Sequence, residues 1–244
     1  MKTLKNSRFF ALAAGLSAAL ALSACQPANE EVNAADKEDV ASGQSATTDA
    51  HSEDAHAGHD MSGSTMTDMQ KAYNDSMNNM HKDMMIGMDY NDPDAAFAQG
   101  MLGHHIGAVD MAEIQLKYGS DTEMRQLAQN VIDTQKVEIE QMQNWLVANP
   151  DTTEPTPETE AMQKAYADGM DEMHGEMMAA TAETDPDKAF VRGMLSHHIG
   201  AVKMANVELQ YGKNAEMREL AQDIIDAQQP EIEQMQNWLA KHSE

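Results

Sequence analysis

The chain is short of the residues that usually close a small fold or build a redox centre. It has one cysteine in 244 residues. No internal disulfide can form, and neither a Cys-based zinc site nor an iron–sulfur cluster can be assembled from it. Aromatic residues make up 5% of the chain, and alternating β-branched stretches are absent, which argues against a β architecture. Basic residues are scarce: 16 Lys and Arg stand against 41 Asp and Glu, for a formal net charge of −25. Nucleic acid and anionic lipid surfaces are poor partners for such a chain, and metal cations are good ones. Leucine is scarce too, with 13 residues against 22 methionines. Leucine is ordinarily among the commonest residues, so methionine has taken positions leucine would hold.

Long apolar runs are missing except at the start. Residues 1–25, MKTLKNSRFFALAAGLSAALALSAC, have a basic beginning (Lys2, Lys5, Arg8), a short apolar run and a small-residue end. This reads as a secretory signal peptide over residues 1–24, too short to span a bilayer. The string Leu22-Ser23-Ala24-Cys25 resembles a bacterial lipobox. That resemblance implies acylation of Cys25, and Gln26 after it implies an anchor in the outer membrane, facing the periplasm. The mature chain would carry no free thiol, which suits an oxidising compartment. Residues 25–65 are polar and small and cannot bury enough surface to offset their ordering entropy, so they read as a tether. Within it, His51, His56, His59 and Met61 form a His-containing tract that could collect metal ions or could be plain solvated linker.

The rest of the chain matches itself. Residues 69–146 align without a gap on residues 162–239, an offset of 93, with 48 of 78 pairs identical. One structural unit is used twice. Each copy reads as three helices: repeat 1 over residues 66–149, a linker over 150–156, and repeat 2 over 157–244. The first helix is expected from about Met66 to Met88, and from Pro157 to Ala180. The second opens at Asp92-Pro93-Asp94 and Asp185-Pro186-Asp187, cap signals followed by a first-turn acid. It closes at Gly119 and Gly212, where glycine is expected in the left-handed conformation. The third is expected to start on a Ser120…Glu123 capping box, with Asn214 as cap in the second copy. Pro230, in the place of Val137, is expected to bend or restart it. Short connections make the helices antiparallel neighbours, so the fold class is an all-α antiparallel helical bundle.

Methionine placement is periodic. On the first helix Met69, Tyr73, Met77, Met80, His81, Met84 and Met88 fall on one face, and Met162, Tyr166, Met170, Met173, His174 and Met177 repeat it. Both copies contain MxxMHxxMM, which adds Met85 and Met178. A methionine stripe is often only core filler. Here each stripe carries a histidine, which is costly to bury without a partner, and methionine specifies a core poorly. The second helix carries MLGHHIGAVDMA and then MLSHHIGAVKMA. Met101, His104, His105 and Met111 share a sector, as do Met194, His197, His198 and Met204. Adjacent histidines diverge by a full helical step, so they cannot easily chelate one ion. They suit two neighbouring sites, or one ligand and one supporting group. On the third helix Glu138 and Glu231 interrupt an apolar stripe and are candidates to orient a histidine. The expected sites lie between the first and second helices of each repeat.

Ligand softness selects the metal. Thioether sulfur suits Cu(I) and Ag(I), and imidazole also suits Cu(II) and zinc. Zinc favours Cys, His and carboxylate over Met. A di-iron bundle needs paired Glu-x-x-His motifs, and the sole Glu-x-x-His is Glu53…His56. Copper leads, with Cu(I) preferred and Ag(I) or Cu(II) possible.

HHIGAVDMA and HHIGAVKMA resemble the HHxxAxxMA signature of the bacterial "domain of unknown function 305" family. The segments MRQLAQNVIDTQKVEIEQMQNWL and MRELAQDIIDAQQPEIEQMQNWL are similar to its third segment. The resemblance implies a ferritin-like bundle in a secreted or periplasmic protein, and kinship with copper-holding members of the CopM type. Carried over by motif, it implies His104, His105, Met111, His197, His198 and Met204 as ligands. Three functions stay open at this point. One is a copper-binding envelope lipoprotein that sequesters or hands on the ion, contributing to copper resistance. Another is a Met-rich interaction module, and the third is a metal-dependent redox enzyme such as a cuprous oxidase.

Overall fold

The computed structural model describes residues 66–242, except Thr152 and the side chains of Asp171, Glu172 and His174. The signal peptide, Cys25 and the tether histidines His51, His56 and His59 lie outside the described residues. Six helices follow one another: α1 (Asp68–Met85), α2 (Pro93–Tyr118), α3 (Thr122–Ala148), α4 (Pro157–Ala180), α5 (Pro186–Tyr211) and α6 (Ala215–Lys241). There is no strand among the described residues, and the chain is an all-α helical bundle.

The local signals set most boundaries. Thr67 caps α1 in a reciprocal box with Gln70, and Thr156 caps α4 with Pro157 in its first turn. Asp92 and Asp185 cap α2 and α5, each followed by proline. Four expectations need correction. First, α1 stops at Met85 and the chain tightens into a 3-10 turn over Ile86–Asp89. There the Gly87 backbone presses on α2: a Cβ at Gly87 would lie 2.8 Å from Gly100 N. Second, α3 is capped by Asp121, which accepts from Met124 N, and not by a Ser120 box. The Ser120 N–H and hydroxyl instead donate to Asp187, which moves the cap on by one residue.

Third, Gly119 and Gly212 are extended, with φ −75° and −66°, not left-handed. Glycine is needed there for room: a Cβ would run into the Gln115 amide and the Glu208 carboxyl. Fourth, α6 does not restart at Pro230 but continues through it. Pro230 and Asp226, whose carbonyl loses its helical partner, are both exposed, so water can replace the missing hydrogen bond.

The two repeats interlock. α2 packs on α1 and α3, α5 packs on α4 and α6, and α2 and α5 pack on each other at the centre. A Cβ at Gly100 would sit 3.3 Å from Met204 Cε, and one at Gly193 would sit 3.6 Å from Met111 Sδ. These contacts fix α2 and α5 as antiparallel. Each helix also seals the opposite repeat. Asp94 accepts from Lys213 N and Asn214 N at the α5–α6 turn. Asp187 accepts from Ser120 N, Asp121 N and Gln115 Nε2 at the α2–α3 turn. Against its partial burial, the hydrogen bond from the Gln115 side chain, then those from the Asp121 and Ser120 backbone, hold the Asp187 carboxyl below the usual carboxylate range.

Helix α1 approaches α2 to backbone distance at Gly103, where a Cβ would be 2.7 Å from Asp83 C. Gly175 on α4 faces open space. Gly103→Ala is therefore expected to destabilise the fold by about 1–3 kcal/mol through overpacking. Gly175→Ala is expected to add roughly 0.5–1 kcal/mol. Urea unfolding of the two variants checks this, and equal shifts would show that the α1–α2 approach is not tight.

Candidate metal centre

The α2/α5 crossing brings the two His-His pairs together. His104, His105, His197 and His198 are all completely buried. The rings of His104 and His197 lie against each other, with centroids 3.6 Å apart and planes tilted by 40°. Within each pair the rings diverge, at 6.3 Å for His104–His105 and 5.9 Å for His197–His198.

The outer histidine of each pair is held by a carboxylate from the third helix. His105 Nε2–H donates to Glu138 Oε2 at 2.9 Å, and His198 Nε2–H donates to Glu231 Oε2 at 2.7 Å. A carboxylate only accepts, so the ring proton is on Nε2 and Nδ1 is left over. The inner pair has a different environment. His197 Nε2–H donates to the His104 carbonyl at 2.8 Å. His104 Nε2 faces Met173 Sδ at 3.2 Å. Thioether sulfur is a poor hydrogen-bond acceptor, so this contact satisfies neither atom well. Nδ1 of all four rings is buried with no hydrogen-bond partner.

Burial sets the charge state of the inner pair. Desolvation, then the neighbouring imidazoles, hold both His104 and His197 well below the usual histidine range. Both are neutral at pH 7, which is the form that binds metals. Four unpartnered Nδ1 atoms are an unusual number of unsatisfied polar groups for one core. A soft cation fits this set. Among the described residues no group of three or more His, Cys, Asp or Glu is placed to hold a metal ion, so a site here must draw on methionine sulfur as well as imidazole.

The methionines divide into classes. Met77, Met80 and Met84 of α1 and Met170, Met173 and Met177 of α4 are buried. Met80 lies over Gly107 and Met173 over Gly200, at the level of the histidines. Met101, Met111, Met194 and Met204 are buried, and Met111 and Met204 lie at the α2/α5 seam. The antiparallel register puts Met204 beside Gly100, one turn from His104, and Met111 beside Gly193, one turn from His197. Met111 is two turns, about 10 Å, from His104 on its own helix. His81, Met85 and Met178 do not join the cluster: they are exposed, Met85 at 43% and Met178 at 37%. The His174 side chain lies outside the described residues.

The expected placement, one site between the first and second helices of each repeat, is therefore corrected. His104 meets a methionine of the other repeat and a histidine of the other repeat, so a single cluster straddles both. Sequence spacing cannot show a contact across repeats. The His104 carbonyl and the sealing aspartates Asp94 and Asp187 also gave no signal beyond first-turn acids. A cavity of about 460 Å³, lined by Glu176, Lys188, Arg192, Ser196 and His242, lies apart and shares none of the cluster's residues.

Together these features define an all-α bundle whose core carries a buried imidazole–thioether cluster. The chain belongs to the family "Domain of unknown function (DUF305)", whose model matches residues 94–239. Among solved structures, a DUF305 protein of Streptomyces coelicolor described as secreted is 27% identical, with 63% of this chain and 94% of that one covered and a TM-score of 0.50. CopM in its Cu(I)-bound form is 30% identical, with 61% and 96% covered and a TM-score of 0.46. CopM in its Cu(II)-bound form is also 30% identical, covers 61% and 97%, and has a TM-score of 0.45. No curated protein matches the chain.

The carboxylates make a testable structural claim. Glu138→Ala leaves the His105 N–H unpartnered in a fully buried position and is expected to cost about 1–3 kcal/mol, whereas Glu138→Gln keeps an acceptor and should cost less. Unfolding midpoints that are equal for the two variants would show that this hydrogen bond does not hold the ring.

Proposed function

We propose that this protein binds copper as cargo in the cell envelope, Cu(I) before Cu(II), through the His–Met cluster at the crossing of α2 and α5. The observation that carries the reading is the set of four completely buried imidazoles whose Nδ1 atoms have no partner, with Met173 Sδ 3.2 Å from His104 Nε2. Neutral nitrogen and thioether donors favour a soft monovalent ion, whose charge is cheaper to bury than a divalent one. The inner histidines and Met173 are the candidate ligands, with Met80 beside Gly107 as a further one. Glu138 and Glu231 orient the outer rings, as carboxylates commonly do behind metal-binding histidines. CopM has been solved with Cu(I), Cu(II) and silver; the assignment here rests on this chain's own donors.

Holding without turnover is the form of the proposal, because the four histidines are completely buried in a packed core. The Met stripes of α1 and α4 are buried against their own neighbours, so they are not available to a partner helix. Export and anchoring belong to the same proposal. Among the described residues no helix is long and apolar enough to cross a membrane, and Cys25 is the proposed lipid attachment that keeps the protein at the outer membrane. The tether histidines and the exposed His81, Met85 and Met178 are proposed as accessory metal contacts.

The test is competition for Cu(I) against a chromogenic chelator. His104→Ala/His197→Ala is expected to weaken binding at least about 100-fold, and Glu138→Gln/Glu231→Gln about 10- to 100-fold. Unchanged stoichiometry and affinity in the histidine variant would sink the site. Oxygen uptake that accompanies oxidation of many equivalents of Cu(I) per protein molecule would show an oxidase instead. For the anchor, Cys25→Ala is expected to move the protein from the membrane fraction to the soluble periplasmic fraction and to abolish labelling by a fatty-acid probe.

A further inference from the structure

The two ends of the α2/α5 seam are built alike except for one atom type. At one end Asp187 of α5 accepts from Gln115 Nε2 at 2.6 Å and from the amides of Ser120 and Asp121. At the other end Asp94 of α2 accepts from the amides of Lys213 and Asn214. The residue in the place of Gln115, 93 positions on, is Glu208. Its side chain is completely buried. Neither of its oxygens meets a hydrogen-bond donor, and it lies in hydrogen-bond range of Asp94. Where one end has an N–H pointing at a carboxylate, the other has two carboxyl groups in contact.

We propose that Glu208 and Asp94 together bind one proton, so that a carboxylic acid–carboxylate pair fastens α5 to the start of α2 where the other end of the seam uses an amide. Two ionised carboxyls cannot share a dry site, since desolvation and mutual repulsion both oppose it. Asp94 already takes two backbone N–H groups and is the better-stabilised anion. The proton therefore sits on Glu208, whose O–H donates to Asp94 as Gln115 N–H does to Asp187.

The surroundings agree. The groups facing Glu208 are Asp94 and Asp92 from the start of α2, Tyr166 from α4 and Arg218 from α6. Arg218 is the cation that favours ionisation, but its guanidinium already donates to the Leu209 and Gly212 carbonyls. The Tyr166 hydroxyl is buried without a hydrogen-bond partner and does not replace a cation. Burial, then the hydrogen bond and charge of Asp94, push the Glu208 carboxyl up to about 9. A second buried oxygen cluster of this size would be thin for a divalent ion, which wants six or more oxygen ligands.

The consequence is proton-linked stability. Glu208 has a folded pKa above its unfolded one. Its contribution is complete below the ordinary glutamate range and is lost as pH rises toward about 9. Folding takes up one proton throughout that window, and the protein is less stable at pH 8 than the same chain with an amide at this position.

The test is urea unfolding between pH 5 and 9.5 of the full chain, with and without EDTA. Relative to Glu208→Gln, the unfolding equilibrium constant of the natural protein is expected to rise by about tenfold per pH unit in the window. Gln115→Glu is expected to place the same pair against Asp187 and to add a second such slope. Parallel profiles for the natural protein and Glu208→Gln would overturn the proposal. So would stabilisation of the natural protein, but not Glu208→Gln, by added Ca²⁺, Mg²⁺ or Mn²⁺, which would make the occupant a cation. A further measurement needs no variant: calorimetric unfolding at pH 8 in buffers of different ionisation enthalpy. Release of close to one proton is expected there. Release of none would overturn the proposal.

Discussion

The close antiparallel crossing of α2 and α5 is the contact on which the rest of this structure depends. It brings His104 onto His197, puts Met173 of one repeat against His104 of the other, and lets Asp94 and Asp187 each seal the opposite repeat's helical turn. Small residues make it possible. Gly100 and Gly193 leave space for Met204 and Met111, and Gly107 and Gly200 for Met80 and Met173. Each glycine costs its helix about 1 kcal/mol relative to alanine; at Gly107 and Gly200 the loss is offset by methionine packing that a Cβ would obstruct. Without the crossing, each repeat would keep its helices but would hold only half of a donor set.

The buried histidines raise an energetic question that methionine helps answer. Four imidazoles in a core would be ruinous as cations, and desolvation keeps the inner two neutral. Neutral rings still need partners, and here Nε2 of each outer ring and of His197 has a good one, while no Nδ1 does. A leucine core would complete the burial and leave the remaining nitrogens bare. Methionine fills the same volume while presenting a polarizable donor at the same level. The outcome is a core that packs without metal and still offers soft ligands. It also explains why so many methionines are buried while Met85 and Met178, at the ends of their stripes, are not.

Departures from the internal symmetry show what the scaffold tolerates. Pro230 stands for Val137 at an exposed position, and the helix continues. Ser196 stands for Gly103, and there its hydroxyl donates to Glu176 where the glycine admits a neighbouring backbone. Glu208 stands for Gln115 at a fully buried position, where the change replaces a donor by a group that must find a proton. The same kind of substitution is neutral on the surface and consequential in the core, because only the core withholds water.

Much was legible in the sequence. Periodicity and caps fixed six helices, their order and nearly all their ends, since Asp-Pro-Asp and Thr-Pro act through hydrogen bonds within one turn. Composition and donor type pointed to a soft metal, and helical spacing already showed that His104 and His105 diverge. What stayed hidden depends on contacts between segments far apart in the chain. Ser120 reads as a cap until Asp187 takes its N–H. Gly119 reads as a left-handed stop until the Gln115 side chain is seen to occupy the space of its Cβ. Each repeat reads as its own site until His104 is found against Met173 and His197. Sequence alone determined which side chains share a helix face, because that follows from 3.6 residues per turn. Only the tertiary structure decided which faces meet, because that depends on how closely two glycine-lined helices can approach.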